Sequence, residues 1–201
     1  LQEQLQEYYD GKNINWHFIT PRAPHMGGFW ENGIKQMKHH LKRVMTERLM
    51  TYEEFSTLLC RIEAVLNSRP ITSISDDPYD FEALTPGHFL IGRPLNCRLE
   101  RDFTNRQQGQ LKRWDMIQQA QQLFWKLWYK DLINMQTRPK DSTKKVQYQI
   151  NDLVLVMDPN VPSLKWKLGR IIKLHRGKDN QVRSITVKTS SSEIMRHVNY
   201  I

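Results

Sequence analysis

Beyond Pro139 the apolar residues of this chain recur at every second position, whereas before it they recur mostly at every third or fourth. Side chains alternate across a strand and return to one face of a helix after three or four residues. The change in period therefore predicts mainly helices before Pro139 and an all-β module after it. Segments Asp152–Met157, Trp166–His175, Val182–Thr189 and Glu193–Tyr200 read as four strands. Turns are expected at Asp158–Ser163, Gly177–Asn180 and Ser190–Ser192. Several short strands in so short a stretch suggest a small barrel over 146–201.

Upstream, residues 1–10 read as a polar helix stopped by Gly11-Lys12-Asn13, and Ile14–Ile19 reads as a short strand bounded by Pro21. A helix is expected from near Phe29 to about Leu49, with Ile34, Met37, Leu41, Val44 and Met45 as its apolar line. Thr51-Tyr52-Glu53-Glu54 fits a capping box for the next helix, which carries Phe55, Leu58, Leu59, Ile62, Val65 and Leu66 and ends at Asn67-Ser68-Arg69-Pro70. Residues 71–110 hold Pro78, Pro86 and Pro94 and read as irregular. A long helix follows from Leu111 to about Arg138, with Trp114, Ile117, Phe124 and Trp128 on one side, and 140–145 is a polar linker. The buried side of that helix is expected to face a core or a domain interface.

Charge then narrows the function classes. The 201 residues carry 30 Lys and Arg against 21 Asp and Glu, a formal charge of +9, which suits an anionic polymer as partner. From Pro139 onward there are 12 basic and 5 acidic residues (+7), and the first 138 hold the remaining 18 and 16 (+2). The β-rich end is thus the expected basic module. No run approaches the roughly 18 apolar residues of a membrane span. Cys60 and Cys97 are too few for a disulfide scaffold or a four-cysteine zinc site, and fit a reducing intracellular compartment. The start at Leu1 reads as the interior of a longer polypeptide.

Few residues offer chemistry by spacing alone. Glu31 is a first-turn carboxylate of the kind a helix dipole favours, and one carboxylate does not make a metal site. His25, His39 and His40 lack neighbours at zinc-ligand spacing, no G-x-S-x-G segment is present, and Gly27-Gly28 lacks the Lys-Ser/Thr of a phosphate loop. Glu31, Lys35, Lys38 and Lys42 fall within about 60° of one another on a helix. Lys165, Lys167 and Arg170 flank Trp166, and strict alternation would put Lys165, Lys167 and Lys173 on one face.

Three longer motifs carry a resemblance. Trp16–Glu31 resembles the last strand, loop and helix start of a retroviral-type integrase core. With Leu66-Asn67-Ser68-Arg69-Pro70 and Leu84–Gly92, its wording is similar to the integrases of BEL/Pao-type LTR retrotransposons. Trp166-Lys167-Leu168-Gly169-Arg170-Ile171 resembles the signature of the β-rich domain that follows the core in those polyproteins. The resemblance spans about 14 to 201.

It implies an α/β chain whose residues 1–70 complete an RNase H-like integrase core. Residues 71–138 would be an extended loop and long connecting helix, and 146–201 a Src-homology-3-like barrel. It makes Glu31 the third member of a DDE triad that holds Mg2+ or Mn2+ in the intact polynucleotidyl transferase. The two aspartates have no counterpart in this sequence, so the chain alone is expected to be inactive. Lys35, Lys38 and Lys42 would then meet DNA phosphates beside the metals, and Lys165, Lys167, Arg170 and Lys173 would meet them from the β-rich domain. Partners implied are element ends, target DNA and further copies of the chain; the compartment is the nucleus, and no membrane is involved. The alternative is a non-catalytic DNA- or chromatin-binding protein derived from such an element.

Overall fold

A computed structural model describes residues 20, 28–46, 48–95, 100–136, 147–158 and 160–201. The helix expected over 1–10 and the strand over Ile14–Ile19 lie outside the described residues. Helix α1 (Gly28–Met45) runs from a first unit, residues 1–39, into a second, residues 40–201. Its ends suit the helix dipole, with Glu31 in the first turn and Lys42 and Arg43 in the last. It stops short of the expected Leu49, where Thr46 turns its hydroxyl back onto the carbonyls of Lys42 (3.0 Å) and Arg43 (3.2 Å). Ile34, read as part of its apolar line, is half exposed.

In the second unit, α2 (Tyr52–Asn67) begins at the expected capping box. The Thr51 N–H donates to Glu54 Oε2 at 2.9 Å and the Glu54 N–H to Thr51 Oγ1 at 3.4 Å. Leu58, Ile62 and Val65 are buried on the face that packs against α4 (Arg113–Gln136). Ile117, Phe124 and Trp128 of α4 are buried as well, whereas Trp114 is half exposed beneath the Arg61 guanidinium. The run Gln118–Gln122 secures the preceding loop. Gln119 Nε2 donates to the carbonyls of Phe103 and Arg106, both at 2.7 Å, and Gln122 bridges Phe103 N–H and Arg101 C=O.

Residues 71–110 are more regular than expected. They hold a two-stranded ladder, β1 (Thr72–Ser73) against β2 (Ala83–Leu84), and helix α3 (Pro86–Ile91). Pro86, read as a breaker, sits at the first helical position, where a missing N–H costs nothing. Gly92 closes α3 at φ 71°, a conformation glycine adopts without a steric penalty.

Beyond 146 the chain forms β3 (Leu153–Leu155), β4 (Leu168–Arg176), β5 (Val182–Thr189) and β6 (Glu193–His197), antiparallel and in that order. Val156, Ile171, Ile185 and Val187 are the buried centre of one face. The expected barrel is here an open sheet. One backbone hydrogen bond, from Met157 N–H to Tyr200 O at 3.0 Å, links the end of β3 to the 3-10 turn Val198–Tyr200 after β6. The strand expected to run to Tyr200 ends at His197 because the next residues turn locally, with Asn199 N–H donating to His197 Nδ1. The described fold is therefore mixed: helices followed by a four-stranded antiparallel sheet.

Candidate nucleic-acid interface

The residues singled out from the sequence separate into free cations and engaged ones. On α1, Glu31, Lys35, Lys38 and Lys42 are all exposed. The three ammonium groups make no hydrogen bond or ion pair among the described residues. Spacing keeps Glu31, Lys35 and Lys38 along one flank of α1 in the first unit, and Lys42 falls in the second.

The sheet treats its cations differently. Arg170 is 3% exposed, and its guanidinium is spent on main-chain carbonyls: Nε on Asp80 (2.8 Å), one terminal nitrogen on Asn151 (2.9 Å) and the other on Ser75. It therefore works as a clamp, and the expectation that it meets phosphate is corrected by its burial. Five donors in a planar fork suit this task as no ammonium could. The clamp draws the loop between β1 and β2 onto the outer face of β4. There Asn151 Nδ2 donates to Asp76 O (2.9 Å), and Lys188 lies 4.3 Å from the Tyr79 ring centroid.

Lys167 points its Nζ at Asp158 Oδ2, 3.0 Å away. That ammonium is the main reason the Asp158 carboxyl is held below the usual carboxylate range, with the Asn160 N–H second. Lys165 stands outside the strand, in a turn closed by its own N–H on Pro162 O, and is exposed with no partner among the described residues. Lys173 is exposed as well, but not on the side that strict alternation gives it. The β4–β5 register shifts between Ile171 and Lys173, so Ile171 pairs with buried Val187 while Lys173 pairs with Thr186 on the opposite face. A bulge at Ile172 turns Lys173 out of the core. The single face expected for Lys165, Lys167 and Lys173 is not formed.

Trp166, flanked by these lysines, is a coupling residue. Its ring meets Trp125 at 4.9 Å, Tyr129 at 5.5 Å and Trp128 at 5.9 Å between centroids. Its Nε1 donates to Ser68 Oγ at 3.1 Å, and that hydroxyl in turn donates to Val65 O at 2.8 Å. The end of α2, the middle of α4 and the approach to β4 thus converge on one indole. Close approach continues at Gly169, where a Cβ would lie 2.5 Å from Val187 Cγ1 and 2.6 Å from Lys188 O. Likewise a Cβ at Gly87 would meet Leu95 Cγ at 3.1 Å and Asn67 O at 3.3 Å.

The roles of Ser68, Trp166 and Arg170 are not visible in helical or strand periodicity. What marked them was their place in the motifs Leu66–Pro70 and Trp166–Ile171.

Residues 112–201 match a protein family described as a family of unknown function (DUF5641). The matched stretch takes in α4 together with the whole sheet, the two parts that meet at Trp166. No curated protein and no solved structure matches the chain.

Proposed function

We propose that the chain is a DNA-binding portion of a retroelement integrase of the BEL/Pao type. In this reading its first part completes an RNase H-like core and its sheet is a Src-homology-3-like domain. Glu31 is one ligand for Mg2+ or Mn2+ in the intact enzyme, which carries out 3′-processing and strand transfer on element ends and target DNA. The observation that supports it best is on α1: an exposed carboxylate followed along the same flank by Lys35 and Lys38, with Lys42 exposed in the second unit, none with a partner among the described residues. A helix so dressed presents cations to phosphates.

The metal half of the reading is not built from the described residues alone. Hard divalent cations need several oxygen ligands, and among the described residues no group of three or more His, Cys, Asp and Glu could hold one. DNA binding is what these side chains themselves support. The same observation favours a second reading, a non-catalytic DNA- or chromatin-binding protein derived from such an element.

Titration of labelled duplex DNA with the chain at several salt concentrations tests the shared part. Log K is expected to fall linearly with log salt, by about 0.9 per phosphate neutralised; absence of binding at low salt would remove both readings. Glu31→Gln in the intact protein separates them. Loss of strand transfer at unchanged duplex affinity supports the enzyme, and a protein with no strand transfer to lose supports the second reading.

A further inference from the structure

We infer that a cleft between the approach to β4 and the β5–β6 turn seats a backbone phosphate of a nucleic-acid strand. This rests on the DNA-binding reading and adds a place and a set of donors. The cleft holds about 330 Å³ and is lined by Phe81, Lys165, Trp166, Lys167, Ser190 and Ser191, among others. That is at the lower end of pockets that take small ligands, about 300–1,000 Å³.

Its donors are what set it apart. No carboxylate is among its lining residues, whereas Glu100 and Asp102 line the cleft beside Trp125, and Glu82 lines the one beside Ser68, which Lys165 and Trp166 border as well. Lys165 contributes an exposed ammonium with no ion-pair partner among the described residues. Lys167 is already held by Asp158 at 3.0 Å, so Lys165 is the available charge.

The turn supplies neutral donors. Thr189 closes it alone: its N–H donates to Ser192 O at 2.8 Å, its hydroxyl donates to the same oxygen at 2.7 Å, and Ser192 N–H donates to the Thr189 hydroxyl at 3.1 Å. Ser190 and Ser191, exposed at the tip, have N–H and O–H groups without a partner among the described residues. One free ammonium, two hydroxyls and tip N–H groups around a carboxylate-free cleft match a tetrahedral anion with several acceptor oxygens. Phe81 and Trp166 add an apolar wall against which a sugar can lie. Lys165, Ser190 and Ser191 all stand at the solvent edge, and the chain carries +9, so a polyanion passing along the rim is favoured over a small enclosed anion.

The test uses the full chain with labelled random-sequence duplex across a salt series. Lys165→Ala is expected to reduce the salt slope by about 0.9 and to weaken all duplex sequences alike. Ser191→Glu removes no cation, yet is expected to weaken binding severalfold by placing a carboxylate in the seat. Both positions are exposed, so melting temperatures should match the parent chain. If both variants bind duplex like the parent, the cleft is wrong while DNA binding stands. If the parent binds no duplex, the underlying reading fails and the seat with it. Inorganic phosphate that shifts the Ser191 amide resonance in a chain without duplex affinity would overturn the assignment to a strand in favour of a free anion.

Discussion

The two basic regions of this protein differ in how many of their cations are already engaged: Lys165 and Lys173 stand exposed in the second, but several of their neighbours do not. Along α1, Lys35, Lys38 and Lys42 are exposed and without partners among the described residues. In the sheet, Arg170 is buried on three carbonyls, Lys167 is paired with Asp158, Arg183 with Asp179 at 2.8 Å, and Lys188 lies over Tyr79. Formal charge points the other way, with +7 from Pro139 onward against +2 before it. The charge a segment carries is therefore not the charge it offers to a partner. Internal carbonyls, carboxylates and rings consume part of it before any ligand arrives.

The strongest way to break this comparison is at Arg170. Replacing it with Met leaves the carbonyls of Ser75, Asp80 and Asn151 without their donor in a site that is 3% exposed at Arg170. Each buried carbonyl left without a donor is expected to cost about 1–3 kcal/mol, read as a lower denaturant midpoint at unchanged slope. Arg170→Lys should fare little better, because one ammonium cannot span three carbonyls. A midpoint equal to that of the parent would mean that the guanidinium is free after all, and the contrast with α1 would collapse.

Next in size is Gly169→Ala. A methyl group there would sit 2.5 Å from Val187 Cγ1 and 2.6 Å from Lys188 O, the latter a backbone atom of the paired strand β5. Overpacking of this kind costs about 1–3 kcal/mol, and the same denaturation measurement reads it. Ala tolerated without loss would show that β4 and β5 can separate at this point.

These two neighbours show what the sequence did and did not make legible. Elements came through because they are local. The capping box at Thr51–Glu54, the burial of Leu58, Ile62 and Val65, and the β5 strand all follow from spacing that a short window contains. Helix α3 was hidden by Pro86, whose place at the first helical position reverses its usual meaning. The bulge at Ile172 was hidden because one extra residue flips facing without altering composition. Sheet closure was misjudged for a related reason: β6 gives way to a local 3-10 turn at Val198, and alternation alone does not announce where a strand stops bonding. The candidate site was half legible. Glu31 and the lysines of α1 are exposed as their spacing implied. Arg170 looked like a phosphate ligand because its carbonyl partners come from residues up to 95 positions away, and no local pattern carries that information.

A third experiment sets the two regions against each other at equal formal charge. Lys35, Lys38 and Lys42 changed together to Ala, and Lys167, Arg183 and Lys188 changed together to Ala, each remove three positive charges. If free charge governs duplex binding, the first set lowers the salt slope by about 2.7 and the second leaves it nearly unchanged. Equal losses from both would mean that the internal partners release their cations to DNA.

The smallest effect sharpens the comparison at one pair. Lys167 and Asp158 are both about a third exposed, at 33% and 30%, so their bond is a surface one, worth about 0.2–1 kcal/mol. Its signature is pH. The Asp158 carboxyl is held below its ordinary value, first by the Lys167 ammonium and then by the Asn160 N–H. A carboxyl whose folded pKa is depressed stabilises the fold above its unfolded value, about 3.9 for Asp, and that contribution disappears as pH falls through the folded value. Lys167→Met should therefore melt slightly below the parent chain at neutral pH, and the gap should close in acid once the carboxyl is protonated in both. A gap that persists unchanged into acid would assign the role of Lys167 to its aliphatic stem rather than its charge. A gap absent at every pH would leave the ammonium free, and Lys167 would then join Lys165 among the cations that the sheet can offer to a phosphate.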